Sequence, residues 1–321
     1  MASATDAVPS GRIVYVTCAE NGFWGLRRFR ERGADIAAVV TLPPSSGERY
    51  QISGFCDLSG WLAEHGIPTI TLADYTLRPS DLAQIEFDVL VVNGWNRLIS
   101  AEVIAKAHCG AVAVHAGHPP LGLGRAPLVW NMLLGRKDIE VYVFEMLPTA
   151  DDGPILARAP VEISPFEDIR HLYEKVMLTG ADLLLEAVGR LVRGERGESQ
   201  AAEERHYFGK RTPEDGRIDF RQDELTLYNF VRAQRPPYPG AFADLGKSRW
   251  LISRAQPFDH FFRRSLQRSP GTILEVLPSG PIVQTGGAPL WLTEVWIDGQ
   301  PAFPSTKIDA GRELIGQRLN S

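Results

Sequence analysis

Residues 12–42 read RIVYVTCAENGFWGLRRFRERGADIAAVVTL, and they hold two apolar runs with an amphipathic segment between them. The runs IVYVT and IAAVVTL are rich in β-branched residues and have the length of strands. The segment WGLRRFRERG between them spaces its apolar residues as a surface helix does. Strand, helix and strand in this order predict a parallel sheet that is covered by helices.

The same alternation continues toward the carboxyl terminus, with helical segments between further apolar runs. These runs are FDVLVV at 87–92, GAVAVHAG at 110–117, IEVYVFEML at 139–147 and ILARAPVEI at 155–163. Runs with so few polar residues are typical of strands that are buried on both faces. A long helix predicted at 167–194 closes this part of the chain. We therefore assign residues 12–197 to one α/β domain.

A polar stretch marks the predicted end of that domain. The sequence GERGESQAAEE at residues 194–204 lacks apolar periodicity, which is typical of a domain boundary. Beyond it, residues 203–321 contain short extended runs broken by Gly and Pro, and these predict a small barrel or an open sheet. Residues 1–11 lack both a charged leader and an apolar core, and we interpret them as a disordered tail.

Composition argues against two classes of partner and indicates a compartment. The formal net charge of -5 provides no basic surface, so we do not expect nucleic acid as a partner. No apolar run approaches the roughly 18–20 residues that cross a bilayer, so we expect no membrane span. The three cysteines, Cys18, Cys56 and Cys109, form neither a paired framework nor a ligand-spaced cluster. A reducing cytoplasm is the simplest location.

Functional side chains concentrate where three of the predicted strands end, and open parallel sheets bind ligands beyond such ends. The first group, Asn93-Gly94-Trp95-Asn96-Arg97, follows the run FDVLVV. It joins a flexible glycine to a large flat ring and several hydrogen-bond donors. Taken alone, the same residues also fit ordinary turn chemistry at a strand end.

The second group contains two histidines. His115 lies near the end of the run GAVAVHAG, and His118 begins a loop rich in Pro and Gly. Such a loop can hold an imidazole against a ligand, although a lone strand-end histidine is more often structural. The two histidines with Asp151 and Asp152 would also allow a metal site. Because nothing else in the chain has ligand spacing, we predict no metal.

The third group is the acidic turn Thr149-Ala150-Asp151-Asp152-Gly153, which precedes the run ILARAPV. Asp-Gly is a common tight turn between two strands, and that is its structural interpretation. A carboxylate opposite a strand-end histidine has a second use. It fixes the histidine tautomer and stabilises the charged imidazole.

Several longer strings connect the chain to one known family. They are AVHAGHPPLGLGRAP at 113–127, the following PLVWNMLLG, Asp151-Asp152-Gly153 with Ile155, and, further along, YFGKRTPEDGRIDF at 207–220, YNFVRA at 228–233 and PPYPGAF at 236–242. In order and spacing they resemble the folate-dependent formyltransferases, the superfamily of methionyl-tRNA formyltransferase. The similarity is greatest to the sugar-nucleotide N-formyltransferases, such as the formyltransferase domain that modifies the aminoarabinose nucleotide for lipid A. It spans nearly everything from Arg12 onward.

The resemblance implies a fold and a donor. It implies a Rossmann-like, mainly parallel sheet in residues 12–197, with the folate-binding and catalytic site, and a smaller barrel-like β domain in residues 203–321. The implied formyl donor is the co-substrate N10-formyltetrahydrofolate.

The resemblance also implies roles for particular residues. Four consecutive residues would border the pterin, partly through backbone groups: Trp95, Asn96, Arg97 and Leu98. The loop that contains Leu147, Ala150 and Asp151 would lie on the other side of the pterin. His115 and Asp151 correspond to two of the three catalytic residues of the family.

The third catalytic position departs from the family pattern, because Ala113 occupies the place of its asparagine. In the family chemistry an amine attacks the formyl carbon, and asparagine and histidine stabilise the negative charge that develops on the formyl oxygen. A methyl group donates no hydrogen bond, and loss of one such donor typically costs about 2.7–4 kcal/mol of transition-state stabilisation. We therefore expect low or altered activity, with His118 or Asn96 as the candidate substitute donor.

Three functional hypotheses follow from these residues. The leading one is an N-formyltransferase that acts on a small amine, either a nucleotide-linked amino sugar or another amine such as hydroxyornithine. The second is a hydrolase of formylfolate, and the third is a catalytically weak folate-binding protein. A transfer RNA acceptor fits the net charge less well. A homo-oligomer is a further hypothesis.

Overall fold

The computed structural model describes residues 11–118, 121–147, 153–200, 206–259, 268–303 and 311–320. Apart from Gly11, the tail predicted at residues 1–11 lies outside the described residues. The chain divides into two compact units. Unit 1 comprises Met1–Pro127, Asp138–Glu162 and Tyr173–Phe208, and unit 2 comprises Leu128–Lys137, Ile163–Leu172 and Gly209–Ser321.

Unit 1 is organised around a mainly parallel sheet. Its strands are β1 Arg12–Val16, β2 Asp35–Thr41, β3 Thr69–Thr71, β4 Val89–Val92, β5 Gly110–Gly117, β6 Leu121–Gly124, β7 Asp138–Glu145, β8 Ile155–Glu162 and β9 His206–Phe208. Seven of them form one sheet in the order β3-β2-β1-β4-β5-β7-β8, and β6 pairs with β9 in a separate two-stranded sheet. The pairings from β3 to β5 are parallel, whereas β7 is antiparallel to both of its neighbours. The predicted Rossmann-like, mainly parallel sheet is thus confirmed.

The α-helices among the described residues are α1 Glu20–Glu31, α2 Ser46–Tyr50, α3 Ser59–Glu64, α4 Ala101–Ile104, α5 Pro127–Leu133, α6 Ile169–Val192 and α7 Glu224–Arg232. The long helix predicted at 167–194 is α6. Among the described residues, no helix is both long enough and apolar enough to cross a membrane.

Two of these helices cover one face of the unit 1 sheet. The ring of Phe29 on α1 meets the ring of Tyr15 on β1 edge to face, with 5.6 Å between the centroids. On α6, a Cβ added at Gly180 would lie 3.1 Å from the side chain of Val114 on β5. The absence of a side chain at Gly180 therefore lets α6 pack closely on the sheet.

The opposite face of the sheet carries the main apolar cluster of unit 1. Because strand side chains alternate between faces, Val14 and Val16 of β1 and Leu90 and Val92 of β4 point away from α1 and α6. They are buried together in this cluster, and Ala113 of β5 packs against it. This second face is the one that leads to the candidate site.

Unit 2 contains a separate antiparallel sheet. Its strands are β10 Ala241–Leu245, β11 Ser248–Pro257, β12 Ile273–Leu277, β13 Gly280–Val283, β14 Leu290–Ile297 and β15 Gln300–Pro301. They are ordered β10-β11-β14-β13-β12, with β15 paired to β14. Helix α7 begins after Asp223, whose carboxylate accepts the backbone N–H groups of Leu225 and Thr226. Leu227 of α7 is buried with Trp250 of β11 in the core of this unit.

Two segments, Leu128–Lys137 and Ile163–Leu172, precede the predicted boundary but belong to unit 2. One reason lies in Arg232, whose guanidinium donates to the carbonyl oxygens of Ser164 and Glu167, each at 2.7 Å. Tyr228 adds a hydrogen bond from its hydroxyl to the carbonyl oxygen of Pro165. A largely buried guanidinium requires such partners, and this requirement ties the segment 163–172 to α7. The limits 12–197 and 203–321 stay a prediction.

Candidate active site

The strands β1, β4 and β5 are neighbours in the unit 1 sheet and run in one direction, so their carboxyl ends lie at one edge. Cys18 follows β1, residues 93–98 follow β4, and His115 lies near the end of β5. Two of the three predicted groups of functional residues are therefore brought to the same edge. The third group lies outside the described residues except for Gly153, so Ala150 and Asp151 keep the roles given above only as predictions.

His115 shares one face of the sheet with Ala113, since side chains two residues apart on a strand point to the same side. Across the antiparallel pairing with β7, His115 is opposite Tyr142 and Ala113 is opposite Phe144. The centroid of the imidazole is 5.7 Å from that of the Tyr142 ring. His115 is half-buried. One side of the imidazole thus packs near an aromatic ring while part of the residue remains accessible to solvent.

Ala113 lies where two apolar clusters meet. It packs against a cluster formed by Tyr142, Phe144 and Ile155, and also against the main cluster of the sheet. Met146 packs against the same two clusters. Ala113 is itself half-buried, and its methyl group fits these surroundings. Its side chain supplies no hydrogen-bond donor beside His115.

His118 faces a different direction from His115. An odd spacing of three residues along extended backbone sends the two side chains to opposite faces. Nε2 of His118 is 3.0 Å from the carbonyl oxygen of Asp138 and 3.6 Å from its carboxylate. Both contacts hold the ring toward the start of β7. The role of His118 as a substitute donor stays a prediction, and these contacts do not favour it.

Tyr75 was not identified from the sequence, although it organises the segment that follows β4. Its hydroxyl oxygen accepts the backbone N–H of Asn96 at 2.9 Å. Its ring meets that of Trp95 edge to face, with 4.6 Å between centroids, and the Arg97 guanidinium lies 5.4 Å from the ring centroid. Burial raises the pKa of the Tyr75 phenol, which therefore stays neutral. An aromatic residue shortly after β3 was the only sequence signal for this role.

Trp95 and its neighbours combine an unmatched donor with exposed apolar groups. Trp95 is only 9% exposed, and within the described part of the chain its buried Nε1 has no hydrogen-bond acceptor. Buried polar groups normally have a partner, so this donor is available to a ligand. Leu98 is 75% exposed, and Leu147, in the loop predicted to lie on the other side of the pterin, is 44% exposed. Asn96 and Arg97 are also exposed, so this segment offers polar and apolar contacts together.

Asn93 ties the end of β4 to helix α1. Its side-chain amide donates to the hydroxyl of Tyr15 at 3.1 Å and to the carbonyl oxygen of Asn21 at 3.2 Å. Gly94 follows with φ of +73°, and a Cβ there would lie 2.7 Å from the side-chain oxygen of Asn21. A side chain at residue 94 would therefore be strained and crowded. These restraints determine the direction in which Trp95 leaves the sheet.

The described residues hold no group of three or more His, Cys, Asp and Glu side chains that could bind a metal ion. Asp151 and Asp152, which completed the metal alternative, lie outside the described residues. Cys18, Cys56 and Cys109 are free thiols.

Comparison with solved structures shows the fold. HypX from Aquifex aeolicus, in a complex with tetrahydrofolic acid, matches 89% of this chain with a TM-score of 0.64 and 19% identity. The chain spans only 44% of the length of that protein. An N-formyltransferase from Helicobacter canadensis, in a complex with folinic acid and dTDP-3-aminofucose, matches 88% of this chain and 98% of its own, with a TM-score of 0.63 and 15% identity. Methionyl-tRNA formyltransferase from Clostridium thermocellum matches 76% of this chain and 92% of its own, with a TM-score of 0.52 and 18% identity.

Comparison with sequence models of protein families shows to which family the chain belongs. The model described as formyl transferase matches residues 18–188, and the model described as formyl transferase, C-terminal domain, matches residues 210–312. The two matches follow one another in the order that the motifs predict, and the first alone covers more than half of the chain. The protein therefore belongs to the formyl transferase family.

Proposed function

We propose that this protein transfers a formyl group from N10-formyltetrahydrofolate to the amine of a small acceptor, such as a nucleotide-linked amino sugar. The observation that carries the proposal is the position of His115. This imidazole lies near the carboxyl end of β5, on the same sheet face as the position that the family fills with asparagine. The end of the neighbouring strand β4 leads directly to Trp95.

His115 would act as the general base that accepts a proton from the attacking amine. An attacking amine becomes positively charged as it bonds to the formyl carbon, and it must lose a proton to complete the transfer. A neutral imidazole within reach can accept that proton. Asp151 would orient the imidazole and stabilise its charged form, as a carboxylate does in comparable pairs.

The segment from Trp95 to Leu98 would bind the folate. The buried Nε1 of Trp95 has no acceptor among the described residues, and the carbonyl or ring nitrogen of a pterin would supply one. Backbone anchoring by Tyr75 holds the segment in place before a ligand arrives. The relatives support the assignment, since HypX was solved with tetrahydrofolic acid and the Helicobacter enzyme with folinic acid.

The net charge of this protein and the ligand of one relative both favour a small-molecule acceptor. The net charge of -5 offers no basic surface for transfer RNA. The Helicobacter relative, which aligns over 98% of its own length, binds dTDP-3-aminofucose. We therefore favour an amino sugar nucleotide over hydroxyornithine and other small amines, and we retain those amines as alternatives.

The methyl group of Ala113 favours a second candidate. Because no donor from residue 113 faces the formyl oxygen, the site would stabilise the developing negative charge less well. A site weakened in this way would hydrolyse formylfolate slowly, or would only bind folate.

One experiment separates the three functions. The full chain is incubated with N10-formyltetrahydrofolate, with and without dTDP-3-aminofucose or a panel of related amino sugar nucleotides, and release of tetrahydrofolate is followed. Release that depends on the acceptor supports formyl transfer. Release without an acceptor supports hydrolysis, and folate binding without release supports the binding protein.

A further inference from the structure

Cys18 and Cys56 lie opposite one another although 37 residues separate them in the sequence. Ala19 and Phe55 form an isolated antiparallel bridge. Two backbone hydrogen bonds flank it, from Glu20 N–H to the carbonyl oxygen of Gly54 at 2.8 Å and from Cys56 N–H to that of Cys18 at 3.1 Å. This register makes Cys18 and Cys56 directly facing residues on two antiparallel segments.

That register brings the two thiols near the geometry of a disulfide. One hydrogen bond joins the two residues directly, from Cys56 N–H to the carbonyl oxygen of Cys18, while Cys18 N–H donates to the carbonyl oxygen of Gly94. Facing residues of antiparallel segments have Cα atoms about 4.5–5.5 Å apart, within the range that disulfides span. Their Cβ atoms are about 4.5–5.5 Å apart, roughly 1 Å wider than a relaxed disulfide has. Cys56 lies outside any helix or strand, in a segment joined to Ala19 by a single bridge, so a small approach is open to it.

We propose that Cys18 and Cys56 form a reversible intramolecular disulfide when the protein meets a peroxide. Cys56 is half-buried and is therefore attacked first. The thiol first releases its proton, and the thiolate then bonds to one peroxide oxygen as the oxygen–oxygen bond breaks. The departing hydroxide takes up that proton, which leaves a sulfenic acid and one water. Cys18 then attacks that sulfur, the sulfur–sulfur bond forms, and a second water leaves. Two thiols are oxidised and one peroxide is reduced.

The surroundings explain why the pair rests as thiols. Burial raises the pKa of Cys18 to about 11. Burial, together with the carboxylates of Glu20 and Asp57, raises the pKa of Cys56. Because the thiolate is the nucleophile, a raised pKa slows the reaction of either residue with peroxide, and we expect the oxidation only at a high peroxide concentration.

The disulfide would also change the contacts of the segment after β4. In the thiol form, Sγ of Cys18 lies 3.6 Å from the hydroxyl of Tyr75 and 3.4 Å from the carbonyl oxygen of Gly94. Turning Sγ toward Cys56 removes both contacts. The Tyr75 hydroxyl is the group that holds the Asn96 backbone.

Peptide mapping of the full chain tests the proposal directly and without any assay of catalysis. Trypsin places the three cysteines on separate peptides, residues 13–27, 50–97 and 107–125. After hydrogen peroxide treatment of the folded protein and blocking of free thiols, we expect peptides 13–27 and 50–97 to be linked. The linkage should disappear with dithiothreitol, and two of the three thiols should be lost and then recovered.

Variants make the test specific. Cys109→Ser should keep the linkage, whereas Cys56→Ser, at a half-buried position, should abolish it and leave Cys18 as a thiol. Oxidation in urea serves as the reference for unselective pairing among all three cysteines. The proposal is overturned if the folded protein links peptide 107–125 as readily as in urea, or if Cys56 proceeds to sulfinic acid with no linked peptide.

Discussion

Replacing Ala113 by asparagine is the most informative single change in this protein. The substitution would place a side-chain amide two residues before His115 on β5, on the same sheet face. Ala113 is half-buried and is not enclosed on all sides, so an amide has access to solvent or to a ligand. The matched control is Ala113→Leu, because leucine has a similar volume and no hydrogen-bond donor.

The expected gain follows from the donor that asparagine would restore. One oxyanion donor is worth about 2.7–4 kcal/mol, which corresponds to a roughly hundred- to thousandfold rise in turnover. Some stability would be lost, because the amide would replace a methyl group that packs against Phe144 and Ile155. That cost is about 1 kcal/mol, the lower end of the range for polar groups at partly buried positions. Folate affinity should change little, since the interaction forms mainly in the transition state.

The assay is acceptor-dependent release of tetrahydrofolate, with folate affinity and thermal unfolding measured on the same samples. Ala113→Leu should show no gain. His118→Ala should leave turnover nearly unchanged, because Nε2 of His118 is engaged by Asp138. The reasoning is refuted if Ala113→Asn folds and binds folate without any rise in turnover, or if His118→Ala removes the activity of the unaltered protein.

Four further predictions concern other parts of the molecule. His115→Ala should abolish acceptor-dependent turnover and leave folate affinity within about threefold, as calorimetry would show; a fully active variant would contradict the proton-transfer role. Tyr75→Phe should weaken folate binding more than it lowers turnover at saturating folate, because the Asn96 N–H loses its acceptor; equal folate affinity would contradict the anchoring role. Asp223→Ala should cost about 1 kcal/mol of unfolding free energy by removing the N-cap of α7, measured by urea unfolding, and no change would argue against the cap. Burial raises the pKa of Asp168, but hydrogen bonds from His171 and the Arg235 charge outweigh it and hold the pKa below its usual value; stability should therefore fall as pH drops through the acidic range, and less steeply in Asp168→Asn, whereas identical pH profiles would exclude this contribution.

Much of the fold could be predicted because its signals are local. The runs around Val14, Val39 and Val91 have the length and composition of buried strands, and each is a strand in the structure. The periodicity of residues 167–194 predicted α6 to within two residues at each end. Strand, helix and strand in succession also restrict the topology, since parallel neighbours require a crossover. The family motifs likewise indicated His115 from a short stretch of sequence, and its catalytic role stays a prediction.

The contacts of the site depend on residues that are distant in sequence, and no local pattern predicts them. Tyr75 reaches Asn96 across 21 positions, and the pairing of His115 with Tyr142 depends on the register between β5 and β7. The segment 163–172 clusters with unit 2 because the guanidinium of Arg232, on a distant helix, takes its hydrogen-bond partners there.

Residue identity along the chain was sufficient to predict the mainly parallel sheet and the family. That Ala113 occupies the place of a family asparagine stays a prediction. Residue identity could not predict that the His118 side chain points away from His115, that Tyr75 holds the Asn96 backbone, or that Cys18 and Cys56 face one another. Strand and helix periods follow from backbone geometry, so a short stretch of sequence reports them. Which side chains face one another depends on which segments pack together, and that packing is determined by residues throughout the chain.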